Sequence, residues 1–399
     1  MNAFNSELNQ RLDALRQQDL YRQLRRVDSA QSSRIQIDGQ ALLNFSSNDY
    51  LGLANHPLLK EAAIKAIERF GSGSGASRLI CGSLAPHHEL DHALARFKQT
   101  EAALSFSSGY AAAVGTICAL LDKEDILVLD KLVHASIVDA ARLCGAKLRI
   151  YPHNDLGALE DILRWAVKKE SIPGQRRPQT LIVTESVFSM DGDVAPLREL
   201  IALKEKYGAW LMVDEAHATG LFGEHGRGLA EEAKIADRIE IQMGTLGKAL
   251  GASGGYICGS KCLIDFLINR ARTFIFSTAP VPAAAAAAQA GLELVQSPEG
   301  RARRTRLWET IHQIKTGLLQ AGWLLSSVNS AIIPLVIGDE ALAMATAKTL
   351  REAGIFIPAV RYPTVARGLA RLRLTLTAAH TPDDLEKLLC TLPSPPRDA

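Results

Sequence analysis

Residues Ile241–Tyr256 read Ile-Gln-Met-Gly-Thr-Leu-Gly-Lys-Ala-Leu-Gly-Ala-Ser-Gly-Gly-Tyr. The apolar run Ile239–Met243 has the length and bulk of a buried strand, and it leads directly into a lysine set among small residues. Gly244, Gly247, Gly251, Gly254 and Gly255 let the backbone turn sharply and let a flat ligand approach Lys248 closely. A lysine amine is nucleophilic once it has lost its proton, and a crowded, partly dry pocket favours that loss. Two readings fit this window alone: a lysine that forms a Schiff base, or a solvated lysine in a glycine-rich turn. A nucleotide-cradling P-loop does not fit. Gln242 stands where that motif needs its first glycine, and Ala249 where it needs Ser or Thr.

Upstream, the apolar runs Ala102–Phe106, Ile126–Asp130, Leu181–Glu185 and Trp210–Val213 have strand length, and Lys147–Tyr151 is strand-like. Helical patterns alternate with them: His56–Phe70, His87–Lys98, Ala111–Leu121, and one from His134-Ala135-Ser136 to Cys144. Alternation of this kind predicts an α/β fold, a mostly parallel sheet with helices on both faces. Such sheets bind ligands beyond the carboxyl ends of their strands. Gly109, His134, Ser189, Asp214, His217 and Lys248 all fall just past expected strand ends, which points to one shared site. At Ser107-Ser108-Gly109-Tyr110 a strand gives way to a helix start, whose free N–H groups and dipole suit a phosphate, with Tyr110 beside it. Asp214 closes a dry strand and needs a partner there. The pyridinium nitrogen of pyridoxal phosphate (PLP) is such a partner, and His217 is placed to reach the ring's phenolate oxygen.

Two motif matches lack their context. Asp214-Glu215-Ala216-His217 spells a helicase box, but no phosphate-cradling loop precedes it. Gly71–Ala76 satisfies a dinucleotide pattern, with Asp91 twenty residues on, but follows a helix rather than a strand and reads as a loop lining a cleft. At the N-terminus, Leu8, Leu12, Leu15, Leu20, Leu24 and Val27 predict a helix over 4–27. Its basic cluster of Arg22, Arg25 and Arg26 reads either as a solvated last turn or as an arm that meets an acidic substrate. A hairpin is expected from Ile35–Asp38 and Leu42–Phe45, a loop over Arg272–Pro280, and a helix from Pro282. Near the C-terminus, Arg371–Thr377 alternates, its leucines on one side and Arg371, Arg373, Thr375 and Thr377 on the other; a buried Arg373 suits a carboxylate. The expected division is 1–45 (helical arm and hairpin), 46–296 (large PLP-binding domain) and 297–399 (small α/β domain).

The net charge of +2 implies no broad surface for nucleic acid. The N-terminus carries no apolar signal stretch, and Ser277–Gly291 is too short to span a bilayer, so no membrane association is expected. Six scattered cysteines with no Cys-x-x-Cys fit a reducing cytoplasm, and no metal site is expected.

The segments Asn44–Leu53, Gly71–Gly82, Ser107–Tyr110, Asp130–Ser136, Thr184–Asp193, Val213–Gly220, Gly223–Gly228, Thr245–Lys248 and Arg371–His380 together resemble the α-oxoamine synthases, PLP enzymes of the aspartate-aminotransferase fold (fold type I). The resemblance covers nearly the whole chain. It implies that Lys248 carries PLP as a Schiff base and moves the α-proton of the amino acid. His134 would stack on the ring, Asp214 would pair with its nitrogen, and His217 and Ser189 would support its substituents. Gly109, Tyr110 and Thr245 would hold the phosphate end. Thr278 would reach in from the neighbouring subunit of a homodimer with shared active sites. Asn48 would lie in the cleft, Arg22 and Thr364 would contact substrate, and Arg373 would bind its carboxylate. The implied activity is a decarboxylating acyl transfer: an amino acid attacks a thioester carbonyl, carbon dioxide and the thiol carrier leave, and an amino ketone forms. Asn44–Leu53 and Leu372–His380 resemble the branch that joins L-alanine to a pimeloyl group on coenzyme A or acyl carrier protein, in biotin formation. The alternatives are the glycine-using and serine-using branches.

Overall fold

The computed structural model describes residues 2–18, 20–168, 176–325 and 328–396. Its centre is a seven-stranded sheet: β1 (Ala102–Phe106), β2 (Ile126–Asp130), β3 (Lys147–Tyr151), β4 (Thr180–Glu185), β5 (Trp210–Asp214), β6 (Ile241–Thr245) and β7 (Gly255–Gly259). The order is β1-β7-β6-β5-β4-β2-β3. Neighbours from β6 across to β3 pair in parallel, while β7 runs antiparallel to both β1 and β6.

Side chains of a strand alternate between faces, so a sheet buried on both sides needs apolar residues at every position. The two cores divide accordingly. Leu127, Leu129, Leu181, Val183, Met212 and Met243 pack on one face, whereas Ile126, Val128, Ile182, Leu211 and Val213 pack on the other. The first face is covered by Gly109–Leu120 and Ala135–Cys144, the second by Leu156–Val167 and Leu197–Tyr207. Four neighbouring parallel strands therefore end together in Asp130, Glu185, Asp214 and Thr245.

Two smaller sheets lie outside this one. Arg34–Ile37 and Gln40–Asn44 form the expected hairpin, joined in parallel by Ile355–Phe356. Ile332–Gly338, Ala370–Thr375 and Ala359–Val360 form an antiparallel trio with Ala370–Thr375 in the middle. All six residues of that middle strand are buried. Leu372, Leu374 and Leu376 join a core that also contains Phe45, Tyr50 and Leu250. The arginines point toward the loop that follows β4, as described below.

Three expectations are corrected. The first helix spans Ala3–Gln17, not 4–27, and buries none of its residues. Beyond it Leu24 is fully exposed, and Asp19 lies outside the described residues. Leu8, Leu15 and Leu24 are exposed among the described residues, and packing rather than propensity stabilises most helices. Arg272–Pro280 is not loop throughout, because Arg272–Ile275 is a short helix that seats Phe274 in the core. Gly71–Ala76 is a loop, but its glycines are exposed rather than lining a cleft of this chain, and a Cβ at Gly71, Gly73 or Gly75 would meet nothing within 4 Å. Asp91 is structural: it pairs with Arg78 at 2.8 Å and accepts from the Ser105 amide.

Candidate active site

The lysine loop follows β6 and is closed by β7, so Lys248 sits between the strand end at Thr245 and the antiparallel return. Its Nζ lies 2.9 Å from His217 Nε2. The other ring nitrogen, His217 Nδ1, lies 2.5 Å from the Tyr50 hydroxyl. His217 is presented by the turn after β5, which begins with Asp214. That carboxylate is buried and accepts from the Ala216 amide at 2.9 Å.

Electrostatics follow from this crowding. Desolvation pushes the Lys248 amine down to about 8, with Arg373 acting in the same direction against the attraction of Asp214 and Glu185. Desolvation also holds His217 well below its ordinary value, helped by Lys248, Arg373 and His134. His217 is therefore uncharged near neutral pH. Burial raises Asp214, and Lys248 opposes that shift. Glu185 ends β4 directly beside Asp214 in the sheet register. Burial, then the Asp214 charge, carry its carboxyl up to about 8. One face of the site thus holds two acids and a lysine whose charges act on one another.

Arg373 reaches the site from Ala370–Thr375. Its Nε donates to the Ser189 carbonyl at 2.6 Å, and its Nη1 donates to Asn48 Oδ1 and to Thr375 Oγ1, each at 3.1 Å. Ser189 therefore meets Arg373 through its backbone. Arg371 grips the same loop, with Nη1 2.7 Å from Asp191 Oδ1.

His134 caps Ala135–Cys144; its Nδ1 accepts from the Ser136 amide at 3.2 Å and pairs with Ser136 Oγ at 2.8 Å. It is exposed, yet near enough to Asp214 and Lys248 for their charges to act on its ring. Gly109 is the first residue of Gly109–Leu120, capped by Ser108. A Cβ there would lie 2.8 Å from Thr245 Cγ2, so glycine is needed for the helix start to approach β6. Tyr110 is exposed, and its hydroxyl donates to Asp139 at 3.0 Å.

Other candidates stand apart from this cluster. Arg22 Nη2 and Thr364 Oγ1 are 3.5 Å apart, too far for a strong hydrogen bond, although the arm is also held by Arg361 Nη2 on the Tyr21 carbonyl. Thr278 is exposed and pairs with Ser77 through an isolated backbone bridge. Sequence reasoning missed Tyr50 and Glu185. A glutamate and an aspartate closing adjacent strands were the available signal for Glu185, whereas nothing local marks Tyr50 as the partner of a histidine 167 residues on.

The residues fit PLP. Among the described residues Thr245 Oγ1 and Glu185 Oε1 are buried without a hydrogen-bond partner, and buried polar atoms in that state are rare. Thr245 faces a twelve-residue helix start, the usual seat for a phosphate. Asp214 is a buried carboxylate suited to a ring nitrogen cation.

The sequence pattern of the family Aminotransferase class I and II matches residues 40–392. A Geobacter sulfurreducens protein named 8-amino-7-oxononanoate synthase is 49% identical over 381 residues, covering 96% of this chain and 95% of its own. A Bacillus pumilus protein of the same name is 44% identical over 383 residues, covering 96% and 95%. A serine palmitoyltransferase from S. paucimobilis, solved with a bound PLP–myriocin aldimine, has a TM-score of 0.89 at 28% identity, covering 98% of this chain and 97% of that one. An 8-amino-7-oxononanoate synthase from Francisella tularensis has a TM-score of 0.75 at 30% identity, covering 88% and 96%. With its sheet, its lysine loop and nearly all of its length matched in this way, the chain belongs to the aminotransferase class I and II family.

Proposed function

We propose that the chain is a PLP-dependent, decarboxylating acyltransferase that condenses L-alanine with a pimeloyl thioester, on coenzyme A or acyl carrier protein, to give 8-amino-7-oxononanoate, carbon dioxide and the free thiol. The carrying observation is the convergence of Lys248, His217, Asp214 and Arg373 beyond the carboxyl ends of the central strands, in a chain 49% identical over 96% of its length to a relative of that name.

PLP, when bound, supplies a ring that accepts electrons from a bond breaking at the amino acid's α-carbon. Lys248 would hold it through its amine, Asp214 would face its ring nitrogen, and His134 would cover the ring. Thr245, Gly109 and Tyr110 would hold its phosphate, while His217 and Ser189 would meet its ring substituents. The chain's residues then do the following work. Desolvation lowers the Lys248 amine toward the neutral range, so Nζ, when free, takes and returns a proton without a strong base. Neutral His217 lies on Nζ and adds no positive charge to oppose that uptake. Arg373 offers a planar fork to the amino acid's carboxylate, and Asn48 and the Ser189 carbonyl fix its plane. Arg22 and Thr364 contact substrate from the arm and the 361–364 loop.

The active form is a homodimer in which exposed Thr278 completes the neighbouring site, in the cytoplasm. Among the described residues no helix is long and apolar enough to cross a membrane. Residues 1–45, 46–296 and 297–399 act as arm, PLP-binding domain and small domain.

The test is a thioester panel. Pimeloyl, acetyl, succinyl and palmitoyl thioesters are each paired with alanine, glycine and serine, and thiol release is followed. Pimeloyl with alanine should exceed the other pairs. Dominance of acetyl with glycine would overturn the substrate assignment while leaving the reaction type.

A further inference from the structure

Two loops carry the residues proposed to hold PLP in place: the one after β2, leading to His134, and the one after β4, containing Ser189. A third strand end ties them together. His153 follows β3, at the sheet's edge. Its Nδ1 lies 3.0 Å from Asp130 Oδ1, at the end of β2, and its Nε2 lies 2.7 Å from Asp193 Oδ2, in the loop after β4. The ring stands edge-on to Phe188, with centroids 4.3 Å apart.

The surroundings leave little freedom. Asp130 is buried, and its oxygens also accept from the amides of Leu132, two residues before His134, and Asn154. Asn154 turns with a φ of 56° and sends its amide nitrogen to Asp193 Oδ2 and to the Val194 carbonyl, each at 3.2 Å. The other Asp193 oxygen is buried with no hydrogen-bond partner among the described residues. Within the loop, the Phe188 amide donates to the Asp193 carbonyl and the Gly192 amide to the Phe188 carbonyl. Moving Asp193 would therefore move the Ser189 turn. From the other side Arg371 and Arg373 grip the same turn.

We propose that His153 is a positioning residue: a twice-donating imidazolium that staples the His134 loop to the Ser189 loop and so fixes the spacing of the cofactor-holding groups. An imidazole donates from both nitrogens only when protonated. Burial alone would lower its affinity for that proton, but the hydrogen bonds to Asp130 and Asp193 carry it up to about 10. The staple therefore stays charged across the neutral range. An apolar residue there would leave two carboxylates facing each other, which repel. Among the described residues no hydrogen bond or ion pair links His153, Asp130, Asp193 or Asn154 to Lys248, His217 or Asp214, so the staple's effect acts through the two loops.

This inference rests on the PLP reading of the site, and its test separates the two. Purified wild-type holoprotein, H153Q and D193N are compared. Gln keeps one donor and loses the charge. Asn at 193 keeps one acceptor oxygen for Nε2, loses the charge, and turns the other oxygen, buried and unpartnered among the described residues, into a donor. Three readouts are taken: visible circular dichroism of bound PLP, the rate of PLP release on dilution, and kcat and KM for the best thioester. H153Q should lose most of the dichroic band, release PLP about tenfold faster, and lose about 10- to 100-fold in kcat with thioester KM unchanged, the cost expected of misplacing catalytic groups at a distance. D193N should fall between H153Q and wild type on each readout. A lowered melting temperature with band, release rate and kcat at wild-type values in both variants would overturn the staple. If H153Q does not fold, D193N alone decides: wild-type values on all three readouts overturn the staple, and a shift in all three supports it. Wild-type protein that takes up no PLP would instead overturn the cofactor reading itself.

Discussion

Replacing Lys248 by methionine should make the cofactor-free protein more stable. Methionine is one atom shorter, fills most of the same space and removes the charge. The amine's pKa falls from 10.5 to about 8 in the folded chain. That is a shift of about 2.5, worth roughly 3 kcal/mol. A depressed lysine binds fewer protons folded than unfolded, so stability rises with pH between the two values. Below about pH 8 the wild type carries the full cost, and between pH 8 and 10.5 the cost fades. At pH 7 the variant should therefore exceed the wild type by up to about 3 kcal/mol. At roughly 2.1 cal/mol/K per residue, 399 residues give an unfolding entropy of about 0.8 kcal/mol/K, so the melting temperature should rise by about 4 °C. The assay is calorimetry of both cofactor-free proteins at matched concentration, at pH 7 and pH 10. The gap should shrink at pH 10. A variant no more stable than wild type at pH 7, or a gap independent of pH, would refute the claim that this amine is held in a destabilised, reactive state.

Asp214→Asn should leave PLP bound but lower kcat by about 100- to 1000-fold, the range for removing a preorganised electrostatic partner, as steady-state kinetics at saturating PLP will show. Arg373→Lys should raise the KM for alanine by about 10- to 100-fold and spare that for the thioester, because a point charge cannot replace a fork fixed by Ser189 and Asn48. An equal rise in both constants would count against a carboxylate role. Lys98→Met should destabilise the fold by about 3–5 kcal/mol, since Lys98 pairs with Glu215 at 2.6 Å with both side chains buried, and the change strands that carboxylate directly after Asp214. Urea unfolding measures this, and a change below about 1 kcal/mol would contradict the pairing's importance.

Much of the molecule was legible because strand and site share one grammar. Apolar runs that end in Asp130, Glu185, Asp214 and Thr245 must be buried on both faces, and polar groups collect where the runs stop. That pattern is enough to bring Lys248, His217 and Asp214 together, as they are in the fold. The alternation of Arg371–Thr377 set Arg373 opposite the leucines, and that strand is buried throughout. What escaped was set by distance along the chain. His153 looks like a turn residue until Asp193, 40 positions on, comes within 2.7 Å. Lys98 looks like the last turn of a surface helix until Glu215 reaches it across 117 residues. β7 was hidden because Gly255–Gly259 is short, begins and ends in glycine, and follows a glycine-rich loop. The N-terminal helix failed the other way, since its leucines promise burial and among the described residues none of its side chains is buried.

The central claim is that one amine, at position 248, carries the cofactor. Reducing the holoprotein with borohydride fixes that bond, and peptide mass mapping then locates the added pyridoxyl group. The account predicts a single labelled lysine, Lys248, with the visible absorbance bleached in proportion. Label on a different lysine, or none in protein that retains its yellow colour, would contradict it.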